Sequence, residues 1–118
     1  MYVDHRRYLG EIGEKQAAEY LKEKGHIILA TNFTTRLGEI DIVTSSGEEL
    51  VFVEVRTALS DKYGPPQYSI TAAKMQRIRK VARLYMSRRG NGESCRFDVI
   101  TLTGDWNDLR INHIPGAF

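Results

Sequence analysis

Two carboxylates and a guanidinium carry the strongest chemical signal in this chain. Asp41, Glu54 and Arg56 fall within the stretch GEIDIVTSSGEELVFVEVR at residues 38–56. That stretch reads as two strands, 38–44 and 49–56, joined by a turn at Ser45, Ser46 and Gly47. In the first, Glu39 and Asp41 alternate with Ile40 and Ile42. In the second, Val51, Val53 and Val55 alternate with Phe52, Glu54 and Arg56. Side chains two apart share a face and stand roughly 7 Å apart along a strand. Paired as a hairpin, the strands would bring Asp41, Glu54 and Arg56 to one point of the sheet. Such a trio can hold a hard divalent cation and stabilise a developing anion. The competing reading is a solvated sheet face, whose cross-strand pairs each contribute a fraction of a kcal/mol. Against it, Glu54 and Arg56 belong to an otherwise apolar run, LVFVEV, that reads as a central strand covered on both faces. A carboxylate there is costly to desolvate without a partner or a metal.

These side chains need a frame. Residues 8–24 form a first helix, with Leu9, Ile12, Ala17, Tyr20 and Leu21 near helical spacing and Gly25 suited to end it. Its charges read mostly as an exposed face laced with i,i+4 pairs. Glu14 is kept as a candidate because Gly13 beside it weakens the helix, which points to close backbone approach. A strand at 26–33 follows, with His26 as an edge residue. After the two central strands, residues 57–70 form a loop broken by Gly64, Pro65 and Pro66, long enough to contact substrate. Lys62, Tyr63, Gln67 and Tyr68 give that loop a base- and sugar-contacting character. Thr71 can cap a second helix over 70–90, whose buried stripe is Ala72 or Ala73, Met75, Ile78, Val81, Ala82, Tyr85 and Met86. A strand at 96–102, a turn at 104–108 and a short edge strand at 109–114 before Pro115 complete the order. The result, α-β-β-β-α-β-β, predicts an α/β fold with a mixed central sheet and a helix on each face.

Composition sets outer bounds. The 118 residues are enough for one domain with one core, spanning 1–118. A hydrophobic fraction of 42% and a charged fraction of 27% are ordinary for a globular protein. No apolar run is long enough to cross a membrane and the N-terminus has no apolar leader core, so the expected location is cytoplasmic, with no membrane partner. The single cysteine, Cys95, excludes an internal disulfide and a cysteine-cluster zinc site. Net charge is only +2, but its distribution is uneven. Between residues 71 and 90 stand Lys74, Arg77, Arg79, Lys80, Arg83, Arg88 and Arg89, with no acidic residue among them. A basic helix is often only a solvated face; this separation of sign favours phosphate binding.

Taken in order, Glu14, GEID at 38–41, FVEVR at 52–56, GPP at 64–66, Lys74 and RFDVI at 96–100 resemble the YraN-like bacterial proteins. These look like small members of the PD-(D/E)xK nuclease superfamily, which includes archaeal Holliday-junction resolvases and many restriction endonucleases. The resemblance covers residues 7–102, and the ordered set is far more specific than any one motif. It implies a restriction-endonuclease-like α-β-β-β-α-β core with an extra C-terminal edge strand. It also implies hydrolysis of DNA phosphodiesters with Mg²⁺ or Mn²⁺, on structured or branched DNA, and by analogy with resolvases a homodimer. By position, Asp41 matches the first motif aspartate, Glu54 the acidic residue of the second half-motif, and Arg56 the place of the motif lysine. Glu14 matches the first-helix glutamate of resolvase-like members, and Lys74 a second-helix polar residue that completes the site. Asp41, Glu54 and the Val55 carbonyl would bind the cation at about 2.1 Å, with Glu14 completing the shell or orienting a water. Lys62, Arg77, Arg79, Lys80 and Arg83 would hold the nucleic-acid backbone.

The chain departs from the family pattern at Arg56, and again at Ala58, where an arginine is common. Arginine stays charged, so it can clamp an oxyanion but cannot serve as a base; Lys74 or Lys15 could supply an amine instead. Two other readings stand beside hydrolysis. One is a non-catalytic nucleic-acid-binding module on the same fold. The other is a protein-interaction domain in which the acidic sheet face pairs with the basic helix.

Overall fold

The strand with apolar side chains on both faces, β3 (Glu49–Ala58), lies at the centre of the molecule. The computed structural model describes residues 5–59, 70–89, 94–105 and 107–118. Around β3, β1 (Ile27–Thr35), β2 (Gly38–Ser46), β4 (Ser94–Asp105) and β5 (Asp108–Ile114) form one sheet in the order β1-β2-β3-β4-β5. Neighbours are antiparallel except β3 and β4, which run parallel. A parallel pair needs a crossover, and α2 (Ala72–Arg89) lies within it. The other helix, α1 (His5–Glu23), covers the opposite face. Ala17 and Leu21 of α1 pack on Ile42, Val51, Val53, Ile100 and Leu102. Ile78, Val81 and Ala82 of α2 pack on Ile40, Val43, Leu50 and Phe52. The expected mixed α/β architecture, an α-β-β-β-α-β core with an added edge strand, is therefore the observed one.

Both helix ends follow local rules. Beyond α1, the His26 N–H donates to the Leu21 carbonyl (2.9 Å) and the Gly25 N–H to that of Lys22 (3.0 Å). Gly25 takes φ 91°, the left-handed turn this paired closure requires. At the start of α2, Thr71 Oγ1 accepts from the Lys74 N–H (3.2 Å), a side-chain cap. Gly13 packs so tightly on Thr57 that a Cβ there would collide with Oγ1, which is the close approach expected from its place in the helix. Among the described residues, no helix is long and apolar enough to cross a membrane.

Several expectations need correction. The hairpin turn is Gly47 and Glu48, not residues 45–47, because Ser46 already pairs with Glu49. Gly47, at φ 64°, supplies the positive φ that a two-residue loop needs. His26 is not an edge residue: it is buried, and its Nδ1 shares a hydrogen bond of 2.7 Å with Thr44 Oγ1. Ala72 and Ala73 are exposed, and the helix's apolar contact begins a turn later at Met75 and Ile78. An alanine has too little area for its burial to fix a helix face. β4 runs on to Asp105, which pairs with Asp108, so the turn expected at 104–108 is shorter.

Candidate functional site

The decisive local event is the parting of β2 from β3. Their pairing runs from Ser46–Glu49 to Ile42–Val53 and stops there. The next inward Val55 N–H, which a continued ladder would have used, is instead bonded by Asp41 Oδ2 at 2.8 Å. At the same point β2 turns over. Ile42 lies in the core beneath α1, whereas Ile40 lies in the core beneath α2. A regular strand would put both on one face, as the alternation of residues suggested. The Asp41 carboxyl consequently sits in the seam of the sheet and borders two clefts. One, of about 310 Å³, opens beside α2 and is lined by Glu39, Asp41, Glu54, Arg56, Lys74 and Arg77. The other, of about 360 Å³, opens beside α1 and includes Glu14, Lys15, Asn32 and Asp41.

Glu54 is only 4% exposed at its side chain. Its Oε1 meets Arg56 Nη2 at 3.2 Å and Lys74 Nζ at 3.4 Å. Even so, burial and the neighbouring Asp41 carboxyl push Glu54 up to about 8, with Arg56 opposing. Asp41 is raised as well: burial outweighs the Val55 N–H and the Arg56 charge. The two carboxyls are close enough to shift one another, so they take up and release protons as a pair. Glu14 is raised by burial, then by Asp41 and Glu39, and Glu39 by burial and Asp41. Four carboxyls are thus crowded around the seam beside Lys15, Arg56, Lys74 and Arg77, and burial together with their mutual repulsion favours a proton or an added cation among them.

The donor set suits a hydrated hard cation. Magnesium takes one or two carboxylates and keeps several waters, so it does not demand a closed cage. Among the described residues no three acidic, imidazole or thiolate groups form such a cage. Asp41 and Glu54 supply the two carboxylates. In an extended strand the N–H and C=O of one residue project to the same side, so the Val55 carbonyl faces the seam where Asp41 takes its N–H. Glu14 stands on the α1 side of Asp41, bonded to Asn32, and is placed for an outer position.

Of the residues singled out by sequence, Asp41, Glu54, Arg56 and Lys74 meet in the α2-side cleft, whereas Glu14 meets only Asp41, in the α1-side cleft. Arg77 lines the α2-side cleft, its stem crossing Gly38. The other helix cations do not join them. Arg79 lies over the Phe118 ring (5.5 Å) and Arg88 over Phe33 (5.8 Å), while Lys80 and Arg83 are exposed. Lys62 lies outside the described residues. Two site residues were not picked out as functional: Asn32 and Glu39. Glu39 shares the GEID run with Asp41, and asparagine tolerates left-handed backbone, so both left a faint signal.

A second polar centre lies beneath α1. Asp98, fully buried, accepts from Arg96 Nε (2.8 Å), Arg96 Nη2 (3.0 Å), the Gly116 N–H (3.0 Å) and His113 Nε2 (2.7 Å). With Nε2 donating, His113 Nδ1 accepts from the Tyr20 hydroxyl at 3.2 Å. Arg96 also reaches Glu49 at 3.2 Å. A larger hollow of about 490 Å³ between α1 and β5 has Ile12, Tyr20 and Ile111 in its wall. Its charged groups are the surface side chains Lys15, Glu19 and Glu23, so it lacks the buried acids found at the seam.

The class these features define is a mixed α/β protein with an acid-rich, cation-flanked cleft at a split strand pair. The model of the Uncharacterised protein family UPF0102 matches residues 13–102, from α1 through most of β4, and the chain belongs to that family. Similar proteins include a UPF0102 protein of Pelotomaculum thermopropionicum, 46% identical over 119 residues and covering 98% of this chain and 99% of the relative. One of Moorella thermoacetica is 45% identical over 119 residues, covering 96% and 97%. One of Geobacter metallireducens is 44% identical over 115 residues, covering 97% and 94%. The YraN-like resemblance pointed to this family, and the matched span contains every member of the seam cluster.

Proposed function

We propose that this protein is a magnesium- or manganese-dependent nuclease of PD-(D/E)xK type that hydrolyses phosphodiesters of DNA. The observation that carries this reading is the buried Asp41–Glu54 pair, each carboxyl raised by burial, open to a cleft flanked by Arg56, Lys74 and Arg77. Asp41, Glu54 and the Val55 carbonyl would hold the cation. The bound ion would polarise the scissile phosphate and acidify an attacking water. Arg56 stays charged throughout and stabilises negative charge developing on the phosphate. Lys74, on the opposite wall beside Glu54, supplies a second positive charge. Arg77, at the cleft wall, steadies an adjacent phosphate as a backbone contact. Arg79 and Arg88 lie over aromatic rings, while the exposed Lys80 and Arg83 extend the positive charge along α2 beyond the cleft.

The test is a cleavage screen over linear, nicked, flapped and four-way DNA with Mg²⁺ or Mn²⁺. Cleavage should appear with metal and fall at least about 10³-fold in Asp41→Ala and Glu54→Ala, the scale of loss when transition-state charge stabilisation is removed. Salt-sensitive binding by wild type with no cleavage of any substrate would replace this reading with a non-catalytic binding module.

A further inference from the structure

The residue opposite Asp41 is the one whose backbone is strained. Asn32 has φ 50°, and among the described residues it is the non-glycine residue with positive φ. It lies mid-strand in β1, between the pairs Thr31–Ile42 and Phe33–Ile40. A left-handed L-residue costs roughly 1–2 kcal/mol, least for asparagine. The consequence can be read on either side of it. Thr31 borders the α1-side cleft, whereas Phe33 packs in the core beneath α2. In a regular strand residues two apart share a face. β1 therefore turns over at the same level as β2, where Ile42 and Ile40 divide between the two cores.

The side chain has a matching task. With its amide nitrogen turned toward them, Asn32 donates to Glu39 Oε1 at 2.9 Å and to Glu14 Oε2 at 3.2 Å. This is the orientation in which oxygen and nitrogen both face complementary groups. One amide thereby ties α1, β1 and β2 together beside Asp41. Glu14 and Glu39 carry like charges, and each N–H takes one of them. Without the amide their repulsion would drive the half-buried Glu14 and the exposed Glu39 apart.

We infer that Asn32 is a positioning residue for the cation that Asp41 and Glu54 hold, acting through Glu14 and Glu39. This rests on the metal-dependent reading above. A purely structural asparagine at this point would serve only to accept positive φ, and glycine does that better. Asn32→Gly thus keeps the backbone and removes the amide.

Mn²⁺ is the probe, followed by paramagnetic resonance of the free ion, which needs no turnover. Wild type, Asn32→Gly, Glu14→Gln/Glu39→Gln and the triple variant are titrated and melted in parallel. Asn32→Gly should melt no lower than wild type and bind Mn²⁺ about tenfold more weakly, the scale of losing an outer-shell partner. In the Glu14→Gln/Glu39→Gln background the same change should have less than about a twofold effect, because residues acting through one another are not additive. Unchanged affinity in Asn32→Gly, or a full tenfold loss persisting in the triple variant, overturns the role of Asn32 while leaving the metal site standing. Wild type that binds no Mn²⁺ overturns both together. Should Asn32→Gly melt early, the Glu14→Gln/Glu39→Gln protein decides alone: wild-type affinity there sinks the inference.

Discussion

Asp98 and Glu54 lie on the adjacent strands β4 and β3, both withdrawn from water, and the chain treats them in opposite ways. Burial pushes Asp98 upward, but Arg96, the Gly116 N–H and His113 together hold it below the usual carboxylate range. Burial also pushes Glu54 upward, and there the Asp41 carboxyl adds to the push, so the rise to about 8 survives the pull of Arg56. One carboxylate has a complete shell of donors; the other has a rival for the same cations. A complete shell stabilises a fold and leaves nothing for a ligand to gain. Two crowded, buried carboxyls cost the fold and, on the function proposed above, make a place for a cation. The comparison also separates two basic groups. Arg96 is committed to Asp98 and Glu49, whereas Arg56 keeps its Nε buried without a partner beside the cleft.

The largest effect should come from breaking the satisfied end. Asp98→Ala leaves Arg96, His113 and the Gly116 N–H without their buried acceptor and should lower unfolding free energy by about 3–5 kcal/mol. Denaturant titration of the metal-free protein measures it. A loss below about 1 kcal/mol would erase the distinction drawn between the two carboxylates.

Next comes the pH dependence of the strained end. Glu54 binds its proton more tightly folded (about 8) than its ordinary value of 4.5, so between those values the folded state holds more protons than the unfolded. Stability from this group is complete below about pH 4.5 and is lost as pH rises through 8. Glu54→Gln should remove that slope and gain on wild type by on the order of 4 kcal/mol at pH 9 relative to pH 5, without metal. Asp98 has the reverse sign: its folded value is depressed, so its contribution holds above 3.8 and is lost as pH falls through the folded value. A Glu54→Gln protein whose denaturation midpoints keep the wild-type slope over pH 5–9 would contradict this assignment.

The smallest effect sharpens the contrast. Tyr20→Phe removes the hydroxyl that donates to His113 and should cost about 1 kcal/mol, the net worth of one hydrogen bond. Mn²⁺ affinity should not move, since no Tyr20 atom borders the seam; a shift there would show that the two centres are linked.

Much of this was legible along the chain because it depends on short-range rules. Gly25 ends α1, Thr71 caps α2, and the alternation of Val51, Val53 and Val55 against Phe52, Glu54 and Arg56 fixes β3 with its acid facing α2. Glu54 and Arg56 stood out because charges in an apolar strand, like the glycine beside Glu14, conflict with local preference, Asp41 came from its alternation along β2, and Lys74 from the family resemblance alone. What misled was the same rule of alternation applied to Ile40 and Ile42. The half-turn of β2 arises only when β1 turns over with it and when Asp41 replaces the missing ladder bond to Val55.

The order of elements, the central place of β3 and the identity of the acids followed from the sequence alone, because periodicity and capping act within a few residues. The tertiary structure decided where the charges go. His113 and Gly116 reach Asp98 from 15 and 18 residues away, Asn32 meets Glu14 across two elements, and Phe118 draws Arg79 from the end of the chain. Pairings of that range depend on which groups packing has already removed from water, a quantity that no stretch of sequence contains.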